Sequence, residues 1–255
     1  MEFTSTLKAL LRRLKLSPIA HTLPERIAYA SKAKLGFAEF LELVFQDEVD
    51  RREQLNLERR LERAQFASEQ TFEGFDWDAP VTFDRDRVKG LFNLGFMERK
   101  EDVIFMGQAG VGKTFLASAL GHAACRAGTR VLFLRADVML KELLASRADH
   151  STEKAIRRLL APDLLIVDDF GLRRLDATAS CDMYEVLIER HKRASTIITA
   201  NRSVEEWVPL FDDPLLANSA LDRFAHNAHQ IVIEGESYRK RQGPAAFNRA
   251  ARSET

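Results

Sequence analysis

Residues 107–114 read Gly-Gln-Ala-Gly-Val-Gly-Lys-Thr, a Gly-x-x-x-x-Gly-Lys-Thr spacing that follows the apolar run Val103 to Met106 and opens a stretch of helical periodicity. The glycines let successive main-chain amides turn toward one centre, and the positive end of the following helix adds to their pull on an anion. A loop of this kind sits at the carboxyl end of a buried strand, so the surrounding chain has to alternate strands and helices.

The rest of the sequence obeys that demand. Short apolar runs at Val103 to Met106, Val131 to Leu134, Leu164 to Val167, Thr196 to Thr199 and Gln230 to Ile233 are candidate strands. Helical patterns lie between or after them at 112–127, 137–146, 152–160, 178–193 and 214–226. This predicts an α/β three-layer core with a five-stranded parallel sheet over residues 81–255. Upstream, residues 1–68 show apolar positions at helical spacing, for example Leu7, Leu10, Leu11 and Leu14, then Phe37, Phe40, Leu41, Val44 and Phe45. They read as a small all-helical domain of three or four helices, broken by Ser17-Pro18, Leu23-Pro24 and Gly36. Residues 69–80, with Phe72, Phe75 and Trp77, read as the linker.

Phosphate chemistry follows from the residue types. Gly107, Gln108, Ala109, Gly110, Val111, Gly112, Lys113 and Thr114, with Phe115 after them, form the expected nucleotide-binding set. Lys113 would neutralise the outer phosphates of ATP, and the Thr114 hydroxyl would hold Mg2+. Leu164 to Val167 run into Asp168 and Asp169, a pattern that resembles a Walker B strand. Asp168 is expected in the magnesium shell, and Asp169 is the candidate to orient or deprotonate the attacking water. Asn201 ends the next apolar run and is either a hydrogen-bonding partner of that water or of the γ-phosphate, or simply a turn former. Arg223 closes a helix far along the chain. It is either an arginine that reaches the nucleotide of a neighbouring subunit or a surface arginine paired with Asp222.

Composition narrows the class. The chain has 255 residues, 45% hydrophobic and 30% charged, which excludes disorder as the main theme, and no apolar run approaches membrane-spanning length. Cys125 and Cys181 have no metal-ligand spacing, so a reducing, cytoplasmic location without a membrane is expected. Formal net charge is zero, yet residues 8–34 are rich in Lys and Arg. A neutral total hides basic surfaces able to hold a polyanion.

Taken together, GQAGVGKTFLA (107–117), DLLIVDDFG (163–171), STIITANRS (195–203), ALDRFAHNAHQIVIEGESYR (220–239) and DEVDRRE (47–53) resemble the helicase-loader branch of the AAA+ ATPases, and within it the IstB-like transposition helper ATPases. The resemblance implies an ATP-dependent switch that assembles with nucleotide into a homo-oligomeric ring or filament on DNA and brings a cognate transposase to its target. Lys113 and Thr114 match the Walker A positions, Asp168 and Asp169 Walker B, Asn201 sensor one and Arg223 the arginine finger. Asp169 stands where most AAA+ enzymes carry Glu, which implies slow hydrolysis. Residues 234–255 leave room for only a truncated helical lid or none, and Arg239 is the residue that would replace the lid's sensor arginine.

Between the second strand and the paired aspartates lie Lys141, Arg147, Lys154, Arg157 and Arg158. They are expected either on a solvated helix face or against double-stranded DNA, bound with little sequence preference because no base-reading motif is visible. The helical N-terminal domain is expected to dock a partner or DNA. Two rival functions remain: a DnaC-like loader of a replicative helicase, with the same engine and another partner, and a P-loop kinase acting on a small molecule.

Overall fold

The structure, a computed structural model, describes residues 3–238. Arg239 and the basic residues after it lie outside the described residues. The chain forms two compact units, one up to Arg59 and the other from Arg60.

Three helices build the first unit: α1 (Ser5–Arg13), α2 (Ile19–Ala33) and α3 (Phe37–Ala64), whose last residues from Arg60 belong to the second unit. The Thr4 hydroxyl accepts from Leu7 N and starts α1, and Pro18 is the cap of α2. The break expected at Leu23-Pro24 is absent, because Pro24 runs inside α2. A proline there forfeits one main-chain bond, which the rest of the helix outweighs. The chain turns instead at Lys34, in the left-handed region (φ 53°), ahead of Gly36. Arg26 clamps α2 to α3 through a two-pronged pair with Asp47 at 2.7 and 2.9 Å. Along α3, Phe37, Leu41, Phe45 and Val49 recur every fourth residue and remain exposed, Phe37 to 93%.

The second unit adds β1 (Val81–Thr82), α4 (Arg85–Leu91), α5 (Gly95–Glu98), β2 (Asp102–Gly107), α6 (Lys113–Arg126), β3 (Val131–Arg135), α7 (Ala136–Ala148), α8 (Thr152–Leu160), β4 (Leu164–Phe170), α9 (Ala177–Arg190), β5 (Ser195–Ala200), a 3-10 helix (Val204–Leu210), α10 (Pro214–His226) and β6 (Ala228–Gly235). Strand order is β1-β6-β2-β5-β4-β3. The five expected strands are all there and parallel, each longer than its apolar run. A sixth, β1, pairs antiparallel with β6 through Val81 and Thr82, so the expected five-stranded sheet is six-stranded. Two residues are too few for any alternation to show in sequence. The linker residues 69–80 lie within this second unit.

Alternation along the strands fixes the layers. Ile104, Met106, Leu132, Leu134, Leu165, Val167, Ile198 and Ala200 join one continuous core with α7, α8, α9 and α10. The opposite face, with Ile166 and Phe133, meets α6: a side chain at Gly121 would come within 2.7 Å of Ile166 Cδ1. Asp168 shares the Ile166 face, which points it at the start of α6.

Candidate nucleotide site

The loop after β2 is shaped by what cannot fit there. At Gly107 (φ 146°) a Cβ would lie 2.1 Å from the Ile233 carbonyl oxygen, and at Gly110 (φ 86°) it would lie 2.1 Å from Ser237 Oγ. Only glycine permits both the left-handed turn and these approaches. Tyr238 N donates to Gly110 O at 2.8 Å, tying the end of the described chain to the loop. Helix α6 then begins at Lys113, and its first amides have no partner within the helix, which leaves the loop rich in N–H groups.

Lys113 is buried at 5% exposure, and its Nζ donates to Gln108 O at 2.7 Å. Thr114 Oγ1 donates to Asp168 Oδ1 at 2.8 Å, and Thr199 Oγ1 donates to the same oxygen at 2.7 Å. Burial pushes the Asp168 carboxyl up from its usual range, with the Asp169 charge acting the same way; the two hydroxyls and the Lys113 ammonium oppose that rise. Asp169 follows in a bulge between β4 and β5, in the left-handed region (φ 55°), with its N–H on Thr199 Oγ1 at 2.9 Å. Such a backbone costs about 1–2 kcal/mol in a residue with a side chain, and Asp tolerates it better than most. The conformation re-aims Asp169 from the strand into the cavity.

That cavity measures about 500 Å3 and is walled by residues 109–115, Asp169 and Asn201 together with Gln70, Phe75, Glu236 and Tyr238. Lys113, Thr114, Asp169 and Asn201 therefore converge, with Asp168 held beneath by Thr114. Gly107 and Gln108 are not among the residues that wall it, and Gln108 enters through its carbonyl bond to Lys113. Arg223 does not join them. It is exposed in the last turn of α10 and makes no ion pair with Asp222 among the described residues; burial lowers the pKa of His191, and the charges of Lys192 and Arg223 add to that. Arg239 lies outside the described residues.

Several residues on or behind the cavity wall do not stand out in the sequence. Phe75 is 8% exposed and packs against Gly112, where a Cβ would meet it at 3.1 Å, and its ring lies 5.5 Å from that of Phe115. Gln70 buries its Oε1 without a hydrogen-bond partner among the described residues. Thr199, 0% exposed in a strand of isoleucines, carried the only usable signal: a buried hydroxyl needs a partner, and here it has two.

Residues 9–246 match the family described as IstB-like ATP binding protein. A protein of Mycobacterium tuberculosis named as an insertion-sequence ATP-binding protein is 40% identical over 239 residues, covering 93% of this chain and 95% of its own. The ATP-binding protein named for insertion sequence IS21 in Pseudomonas aeruginosa is 35% identical over 236 residues, 92% of this chain and 89% of its own. Among solved structures, DnaI superposes with a TM-score of 0.55 at 18% identity over 65% of this chain and 92% of its own. The DnaC helicase loader does so with 0.51 at 23% identity over 58% and 86%. At such identities the likeness is one of fold, that of P-loop AAA+ domains. Among the described residues no helix is long and apolar enough to cross a membrane. With match and geometry in agreement over nearly its whole length, this chain belongs to the family of IstB-like ATP-binding proteins.

Proposed function

We propose that the protein is an ATPase switch that assembles with nucleotide on double-stranded DNA, with little sequence preference, and recruits or stimulates its cognate transposase. The observation that carries this reading is the convergence of Lys113, Thr114, Asp169 and Asn201 on one cavity, with Asp168 bonded to the Thr114 hydroxyl. Thr114 and Asp168 offer hard oxygens 2.8 Å apart, a donor pair that suits Mg2+ beside phosphates. When bound, that ion supplies charge neutralisation for the transferred phosphoryl group.

The chain's own groups do the rest. The loop amides and Lys113 hold the phosphates; breaking its bond to Gln108 O frees the ammonium to turn toward them. Asp169 takes or orients the proton of the attacking water, and Asn201 fixes that water against the γ-phosphate. Phe75 and Gln70 are among the wall residues available to hold the base. Arg223 stands outside the cavity of its own chain, which supports a role toward a neighbouring subunit's phosphates. The stripe of Phe37, Leu41, Phe45 and Val49 supports a docking role for the helical unit, with the transposase as its partner.

Mixing tests the core of this reading. Arg223→Ala chains alone and Lys113→Ala chains alone are expected to lack DNA-stimulated turnover, whereas mixed assemblies recover part of it, because intact cavities then face intact arginines. Absence of recovery at every ratio would remove Arg223 from the trans role. The fold likeness to DnaC and DnaI favours a second reading, loading of a replicative helicase. Capture of that helicase, and not of the transposase, by the full chain would select it.

A further inference from the structure

Four of the five cations between β3 and β4 already have acidic partners. Arg147 pairs with Asp182, Arg158 reaches Glu142 at 2.5 Å and Gln65 at 2.8 Å, Lys141 lies 3.5 Å from Asp137, and Arg157 lies 3.4 Å from Glu153. Their fields are largely cancelled on the spot.

A second basic surface is of another kind. Arg173 and Arg174 follow Gly171 in the loop after β4, and Arg202 follows Asn201 in the loop after β5. Parallel pairing of the two strands brings all three to the end of the sheet that carries the nucleotide cavity. They line a separate hollow of about 440 Å3, with Leu172, Glu206, Pro209 and Leu210. All three are exposed, and no side-chain hydrogen bond or ion pair engages them among the described residues. Among the described residues Glu206 is the single carboxylate on that wall, and it is held by Ser203 N at 2.9 Å as part of a helix cap. Three guanidiniums gathered against one carboxylate repel one another, a cost that an anion relieves. Planar guanidinium forks suit the paired oxygens of phosphate better than a point charge would. Leu172 borders both this hollow and the nucleotide cavity.

We propose that Arg173, Arg174 and Arg202 form a binding site for the phosphate backbone of duplex DNA, separated from the nucleotide by Leu172 and the bulge at Asp169. The site rests on the DNA-bound reading above and names the surface through which DNA would act on hydrolysis. DNA seated on Arg173 and Arg174 steadies the loop that carries Asp169, and DNA on Arg202 steadies Asn201. Turnover rises because both groups are then held toward the attacking water.

The test uses the full chain with a non-hydrolysable ATP analogue and a fluorescent duplex of mixed sequence, titrated by anisotropy through a salt series. Arg173→Gln/Arg174→Gln/Arg202→Gln is expected to reduce the slope of log affinity against log salt by about two to three, and each single variant by about one. Nucleotide affinity stays at the wild-type value in all of them, and DNA-stimulated turnover is lost in the triple variant. Lys141→Gln/Lys154→Gln/Arg157→Gln is expected to change the slope by less than the arginine triple does. If wild type binds duplex and the arginine triple binds it with the same slope, this site is wrong and the DNA-bound reading stands. Should that triple keep its DNA slope but lose capture of the transposase, the arginines serve a protein and the proposal is overturned. If wild type fails to bind duplex at all, the functional reading itself falls and takes this site with it.

Discussion

The two ends of the parallel sheet both bury charge, and they use it in opposite ways. At the amino end, Arg190 is 2% exposed and donates to the carbonyls of Leu159, Pro162 and Ser195 and to the Thr196 hydroxyl. Nearby, Asp102 accepts from Thr196 N at 2.7 Å and from Asn227 Nδ2 at 3.3 Å. Burial lowers the Arg190 guanidinium to about 10 and raises the Asp102 carboxyl to about 7. At the carboxyl end, Lys113 and Asp168 are as deeply buried, yet they stand beside an open cavity, a strained Asp169 and a row of helix amides. Perturbed protonation alone would rank the amino end higher. What distinguishes the working end is charge held next to space.

The largest expected effect breaks the amino end. Arg190→Met leaves three carbonyls and Asp102 without their cation, and the protein is expected to lose about 3–5 kcal/mol of stability in denaturant titration. If Arg190→Met cut nucleotide affinity while leaving the unfolding midpoint in place, the contrast would be wrong. Next in size, Lys113→Ala should weaken ATP binding by about 100-fold, read by calorimetry, with the melting temperature without nucleotide nearly unchanged. Asp169→Asn should keep ATP bound and lower turnover by roughly 100-fold. Normal hydrolysis by that variant would strip Asp169 of its role.

A smaller effect separates the ends by pH. Asp102 has an ordinary value of 3.8 and is raised to about 7 in the fold, so between those values only the folded chain keeps the proton. Its contribution is full below 3.8 and is lost as pH rises through 7. Wild type is therefore expected to lose about 2 kcal/mol relative to Asp102→Asn between pH about 5 and about 8. The carboxylates held low, Glu48 and Glu101 at about 2, act in the other direction and below 4.5, outside that window. Parallel curves for the two proteins would place the buried proton elsewhere.

The contrast also explains what the sequence could carry. Strands and the phosphate loop are written in local pattern: apolar runs ending in Gly107, Asp168 and Asn201 put those residues at one edge once the strands are parallel. The amino end was silent, because a lone Arg190 at the end of a helix looks like any surface cation until four partners from three segments close on it. Phe75 and Gln70 fall in the linker by sequence, since their value comes from contact with residues far along the chain. Helices α4 and α5 and the 3-10 helix are too short for a periodic signal, as β1 is. Arg173, Arg174 and Arg202 sit in loops, where spacing says nothing about who meets whom.

The finest comparison uses one unpartnered atom from each end. Among the described residues, Gln70 Oε1 beside the cavity and Ser195 Oγ at the start of β5 are both buried without a hydrogen-bond partner. Each costs the protein about 1 kcal/mol or more. Ser195→Ala removes the amino-end orphan and should raise the melting temperature by roughly 2–4 °C with ATP affinity unchanged. Gln70→Leu should raise it by a similar step, yet weaken ATP binding by about five- to tenfold. A buried polar group without a partner costs stability at either end, and beside the cavity it also stands where a ligand can meet it. If Gln70→Leu gained stability and lost no affinity, Gln70 would be a packing fault like Ser195, and the base would have to be held by Phe75 and the other residues of the cavity wall.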